Sequence, residues 1–259
     1  MTGGILRFRD LDPEAIEVLL CDADGNLFGS EEPAFVASTA VTNRFLADHG
    51  IEREFTPDEL RRGAVGRNFR SVAGDLAAEA GASIDAEELE SWVLEEQRAV
   101  VAHLESTLRP DEEVSAPLRE LAGRFRLAVV SSSAHARLDA CFRATGLDEL
   151  LPHAIRFSAE DSLPVPTSKP DPAIYTFAGE RLGIGTGAGL AVEDAAAGAL
   201  SAVAAGFPTV GNLQFVPEDE RERRIVELRD AGVAAIVHSW WDVAALLGVD
   251  RACGRLART

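Results

Sequence analysis

Cysteine is scarce in this chain. Its three residues, Cys21, Cys141 and Cys253, are dispersed and odd in number. They form neither a zinc-ligand spacing nor a disulfide framework, which fits a reducing cytoplasm. Positive charge is short as well: 25 Lys and Arg face 43 Asp and Glu, a formal net charge of −18. Without a basic excess to neutralise phosphates, nucleic acid and anionic membranes are excluded as partners. An anionic substrate would then need local cations or a metal at its own site. No apolar run approaches the roughly 20 residues that span a bilayer. The opening MTGGILRFRD lacks a basic-then-apolar export pattern. No internal repeat or low-complexity tract interrupts the chain. The expectation is a cytoplasmic protein.

What is present suits a real core: 259 residues, 46% of them hydrophobic, enough for one large or two unequal domains. Short apolar runs bounded by turn residues recur at Ile16–Cys21, Leu127–Val130, Ala154–Phe157, Gly189–Val192, Phe207–Val210 and Ala234–Val237. They do not alternate, so they read as strands buried on both faces of a parallel sheet. Helical patterns at Ala134–Thr145, Pro172–Leu182 and Ala195–Ala205 separate the later ones, each stopped by a glycine. Strands alternating with such helices imply a doubly wound, Rossmann-like α/β sheet.

The interval between the first two strands breaks that rhythm. Glu31–His49, Thr56–Arg62, Asn68–Ala80 and Asp85–Glu105 all read as helices. The stretch is far too long for a strand–helix connection. An inserted four-helix domain over residues 30–108 is expected, inside an α/β core of residues 1–29 and 109–259.

In open α/β sheets, ligands bind beyond the carboxyl ends of the strands. The first strand runs into CDADGN, with Asp22 and Asp24. The second ends in Ser131, Ser132 and Ser133, the third is followed by Ser168-Lys169-Pro170, and the fourth ends in Glu193 and Asp194. Each group has a plain alternative. Asp, Gly and Asn are ordinary turn-formers, Ser131 or Asp194 could cap a helix, and a loop lysine is usually solvated. Together at successive strand ends they point to chemistry. Asp22, Asp24 and Asp194 are hard oxygen ligands of the kind Mg²⁺ accepts. A carboxylate can attack phosphorus, and Ser131 and Lys169 can hold the transferring group's oxygens.

DADGN at Asp22–Asn26, the serine at Ser131, SKPDP around Lys169 and VEDAAAG at Val192–Gly198 resemble, in order and spacing, the haloacid dehalogenase superfamily. The insertion resembles the helical cap of its β-phosphoglucomutase and phosphoglycolate phosphatase subgroup. The resemblance implies a phosphatase acting on a small-molecule phosphate ester, as a monomer or homodimer. It makes Asp22 the nucleophile and Asp24 the general acid, then base. Asp22, the Asp24 backbone carbonyl and Asp194 would hold Mg²⁺, with Glu193 assisting, while Ser131, Ser132 and Lys169 would hold phosphate.

Asp24 speaks against halide displacement, whose enzymes lack it. The region Glu32–Phe35 has no histidine of the kind the mutases carry, which disfavours a sugar phosphomutase. A binding protein that kept only the fold would be expected to lose a motif residue, and none is lost. Two positions depart from the family: Asn26 replaces a usual threonine and Gly29 a common aspartate. Arg67, in a cap loop, and His135, just past the serines, are candidate substrate-contacting residues. The glycine-rich Gly183–Gly189 follows a helix and enters a strand, so it is no dinucleotide loop.

Overall fold

The computed structural model describes residues 4–63 and 68–249. The chain divides into two compact units, Met1–Gly29 with Arg109–Thr259, and Ser30–Leu108. Among the described residues, seven strands form one sheet: β1 (Leu6–Arg7), β2 (Val18–Cys21), β3 (Arg126–Ser131), β4 (Arg156–Ser158), β5 (Gly189–Glu193), β6 (Thr209–Asn212) and β7 (Ala235–Val237). Their order is β1-β7-β6-β5-β2-β3-β4. All pairings are parallel except β1 with β7. Every residue of β2 is buried, whichever way the pleat turns it, as a strand covered on both faces requires.

The helices of this unit are α5 (Glu112–Ala122), α6 (His135–Thr145), α7 (Ala173–Leu182), α8 (Ala196–Ala204), α9 (Arg221–Ala231) and α10 (Trp240–Leu246). Val18, Leu20, Ala128, Val130 and Ala191 of the sheet pack with Ile174 and Ala178 of α7 and Ala202 of α8. Helix α5 packs against α10. Gly146 and Gly183 stop α6 and α7 in the left-handed conformation, φ 70° and 68°.

The second unit holds α1 (Glu31–Asp48), α2 (Pro57–Gly63), α3 (Phe69–Glu79) and α4 (Ala86–Thr107). Asn68 caps α3 by accepting from Ser71 N, and Asp85 caps α4 by accepting from Glu88 N. Phe45 of α1 centres its core, edge-on to Phe69 and Trp92, with Leu60, Val72 and Leu76 around it.

Three strand features differ from the sequence expectation. Strand β1 is only two exposed residues and runs antiparallel, too short to leave a pattern. The run Ala154–Phe157 begins as a 3₁₀ turn, and the strand proper is Arg156–Ser158. Likewise β6 starts at Thr209 rather than Phe207, because Pro208 lacks an N–H for the ladder. That shift carries the strand end forward to Asn212.

Candidate active site

Register builds the centre of the site. Cys21 pairs with Val129 on one side and Val192 on the other. One residue further, Asp22, Val130 and Glu193 therefore stand in a row across three strands. Lys169 Nζ caps that row: it donates to Asp22 Oδ1 at 2.5 Å, to the Val130 carbonyl at 2.7 Å and to Glu193 Oε1 at 2.7 Å. The Lys169 backbone N–H donates to Ser132 Oγ at 3.0 Å, which ties the lysine loop to the serine turn. Tyr175, on α7, donates its hydroxyl to Glu193 and lies under the Lys169 ammonium, 5.2 Å from ring centroid to Nζ.

Asp24 faces different partners. Ser133 Oγ donates to its Oδ2 at 2.6 Å, and Arg137 Nη2 to its Oδ1 at 2.8 Å. Ser131 Oγ accepts from Ser133 N at 3.0 Å. Neither plain alternative for the helix starts is observed: the residues at the N-caps of α6 and α8 are Ala134 and Ala195, with no side-chain hydrogen bond.

Asn26 is fully buried and has a structural task. Its Nδ2 donates to the carbonyls of Asp22 (3.0 Å) and Val192 (2.9 Å), and its Oδ1 accepts from Asn212 Nδ2 (2.9 Å). Its own carbonyl accepts from Trp240 Nε1 at 2.8 Å. A threonine hydroxyl has one donor and could not bridge both carbonyls. At Gly29 a Cβ would lie 3.1 Å from Phe215 Cδ1, so the Phe215 ring crowds the place of a longer side chain. Two glycines are required outright. Gly25 has φ +76°, and a Cβ there would come within 2.5 Å of Asp194 Oδ2; at Gly198 it would sit 1.9 Å from Glu193 Oε2.

The electrostatics follow from burial. Asp22, Glu193 and Asp194 are all buried, with one ligand oxygen of each within 4.8 Å of the others. Burial pushes the Asp22 carboxyl up to about 8; Lys169 pulls it down, but Glu193 adds repulsion. Burial opposes the Lys169 charge, yet Asp22 and Glu193 outweigh it and hold the ammonium above its ordinary value. Burial and the nearby Glu193 likewise raise the Tyr175 phenol. Arg224 Nη1 donates to the Asp194 carbonyl at 2.7 Å and approaches its Oδ2 at 3.5 Å. Three converging buried carboxylates, one carrying a raised pKa, make a donor set that fits a hard divalent cation such as Mg²⁺.

The structure thus gathers Asp22, Asp24, Ser131, Ser132, Lys169, Glu193 and Asp194 at one sheet edge. His135 bonds elsewhere: its N–H donates to Asp161 Oδ2 at 2.6 Å, Nε2 meets Ser162 Oγ at 3.2 Å, and its ring lies 4.6 Å from that of His153. Burial, then the His153 charge, lowers its pKa. Arg67 lies outside the described residues. Ser133, Arg137, Tyr175, Asn212 and Arg224 are not among the predicted site residues. Ser133 stood in the serine triplet and Arg137 four residues beyond it; the other three carried no signal.

The family model for haloacid dehalogenase-like hydrolases matches residues 16–206. The chain belongs to that family. A curated relative, the plasmid-borne protein CbbY of Cupriavidus necator, is 35% identical over 132 residues, 46% of this chain; the match spans about half of that relative's length, 50%. The crystal structure of a HAD family hydrolase from Deinococcus radiodurans, with bound phosphate and sodium, is 25% identical. It covers 91% of this chain and 97% of its own at a TM-score of 0.66. CbbY of Rhodobacter sphaeroides, crystallised with xylulose-(1,5)bisphosphate, shares the fold at TM-score 0.68 and 21% identity, covering 91% of this chain and 99% of its own. Among the described residues, no helix is long and apolar enough to cross a membrane.

Proposed function

We propose that the chain is a Mg²⁺-dependent phosphatase of small-molecule phosphate monoesters, working through an aspartyl-phosphate on Asp22. One observation carries the reading: Lys169 bridges Asp22 and Glu193, while Asp24, two residues past the nucleophile, is held separately by Ser133 and Arg137. A nucleophile and a proton shuttle need that division of partners. Asp22, Glu193, Asp194 and the Asp24 backbone carbonyl would hold Mg²⁺, which supplies charge stabilisation at the phosphoryl oxygens.

The residues then act in two steps. An Asp22 oxygen attacks phosphorus, the P–O ester bond breaks, and Asp24 gives its proton to the departing alkoxide. Water next attacks phosphorus, Asp24 takes a proton from it, and the P–O bond to Asp22 breaks, leaving inorganic phosphate and the free carboxylate. Ser131 and Ser132 already accept from backbone N–H groups, so each hydroxyl proton is available to a phosphate oxygen. Lys169 adds the fixed positive charge. The α/β unit is the catalytic core in this reading, and residues 30–108 are the cap.

The test is phosphate release from a panel of sugar and organic-acid phosphates with Mg²⁺. Release that is untouched by a chelator, or absent from every ester, would defeat the proposal. Interconversion of sugar-phosphate isomers with little free phosphate would identify a mutase instead.

A further inference from the structure

Asp22 and Asp24 are two residues apart in sequence, yet each has its own cation. Lys169 serves Asp22. The Asp24 carboxyl is held at both oxygens by the segment following β3: Ser133 Oγ on Oδ2 at 2.6 Å and Arg137 Nη2 on Oδ1 at 2.8 Å. The pair is well sheltered, with 28% of the Arg137 side chain and 20% of that of Asp24 exposed, so solvent screens it only in part. Two donors on two oxygens fix both side-chain torsions of Asp24, and charge-assisted bonds do so strongly. The Asp24 carboxylate also stands outside the Asp22–Glu193–Asp194 group of converging oxygens.

We infer that Arg137, aided by Ser133, is a positioning residue: it clamps the Asp24 carboxyl clear of the metal-ligating carboxylates, in the rotamer from which Asp24 protonates the leaving oxygen. The inference rests on the phosphatase reading. It has a chemical consequence that a merely structural arginine would not have. An alkyl phosphate expels a basic alkoxide and needs the proton that Asp24 supplies. 4-Nitrophenyl phosphate expels a stable phenolate and does not. Loss of the clamp should therefore penalise the first ester and spare the second.

The experiment measures kcat/KM for the best alkyl phosphate of the panel and for 4-nitrophenyl phosphate, in wild type, Arg137→Met, Arg137→Lys and Ser133→Ala. Positioned acid–base groups contribute about 10²–10⁴-fold, so Arg137→Met should lose at least about 30-fold on the alkyl ester and under about threefold on the aryl ester. Arg137→Lys should recover part of the loss, and Ser133→Ala should show the same bias more weakly. Equal losses on both esters, or no loss on either, would overturn the clamp. Should Arg137→Met fail to fold, the lysine and alanine variants carry the same comparison. If wild type hydrolyses neither ester, the phosphatase reading fails, and crystal structures of wild type and Arg137→Met still decide the clamp: it stands if Asp24 changes rotamer in the variant and falls if Asp24 keeps its place.

Discussion

The two units differ in whether they bury carboxylates. In the α/β unit Asp22, Asn26, Ser131, Glu193, Asp194 and Asn212 are all buried. In Ser30–Leu108, charges stand at the surface as pairs such as Arg44–Glu95 and Arg70–Glu90, each partner roughly half exposed. Exposed pairs contribute about 1 kcal/mol or less, so the helical unit rests on apolar packing around Phe45. The α/β unit instead holds carboxylates where burial disfavours their charge. The lesson is that one unit is arranged for stability, and the other gives up stability to hold an arrangement of charge.

The sharpest way to test that contrast is Asp22→Asn. Removing the proposed nucleophile should lower phosphate release by at least about 1,000-fold. It also relieves the repulsion from Glu193, so the melting temperature in chelator should hold or rise; a fall would contradict the reading of Asp22 as a strained carboxylate. Gly198→Ala comes next. Its Cβ would collide with Glu193, so a loss of about 2–3 kcal/mol by urea denaturation is expected, together with weaker thermal stabilisation by Mg²⁺. Asn26→Thr leaves a buried carbonyl and the Asn212 amide short of partners, a cost of about 2 kcal/mol by the same measurement.

The pH dependence follows from Asp22. Its carboxyl titrates near 4 when unfolded and near 8 when folded. Between those values the native chain binds more protons than the unfolded chain, so stability falls as pH rises through that window. Melting temperatures in chelator should drop from pH 5 to pH 8. Mg²⁺ favours the ionised carboxylate and should flatten the decline. The smallest effect lies in the helical unit. Gly74 is inside α3 with nothing within 4 Å of an added Cβ, so Gly74→Ala should stabilise by about 0.5–1 kcal/mol. The same exchange thus has opposite signs at Gly198 and Gly74. Matching signs would erase the contrast between the units.

Legibility in the sequence tracked length and composition of the local pattern. Central strands such as Val18–Cys21 announced themselves because both faces are apolar. Helix α9, RERRIVELRDA, buries only Leu228 and Ala231 and left too thin a stripe to read. Helix α5 carries Pro117 within a charged stretch, which masks its period. At the site, the groups brought in by motif spacing were legible. Those brought in by packing alone, Tyr175 and Arg224, were not.

By itself the sequence determined the alternation of buried strands and helices, the long helical interruption, and carboxylates, serines and a lysine at successive strand ends. These are local properties, written in hydrophobic period and turn chemistry. Only the tertiary structure decided which group meets which. The parallel register put Asp22, Val130 and Glu193 in one row beneath Lys169, and β6 ended at Asn212 beside Asn26. The serine turn and α6 gave Asp24 its own arginine. Such pairings join residues from 24 to 186 positions apart, and no local pattern encodes them.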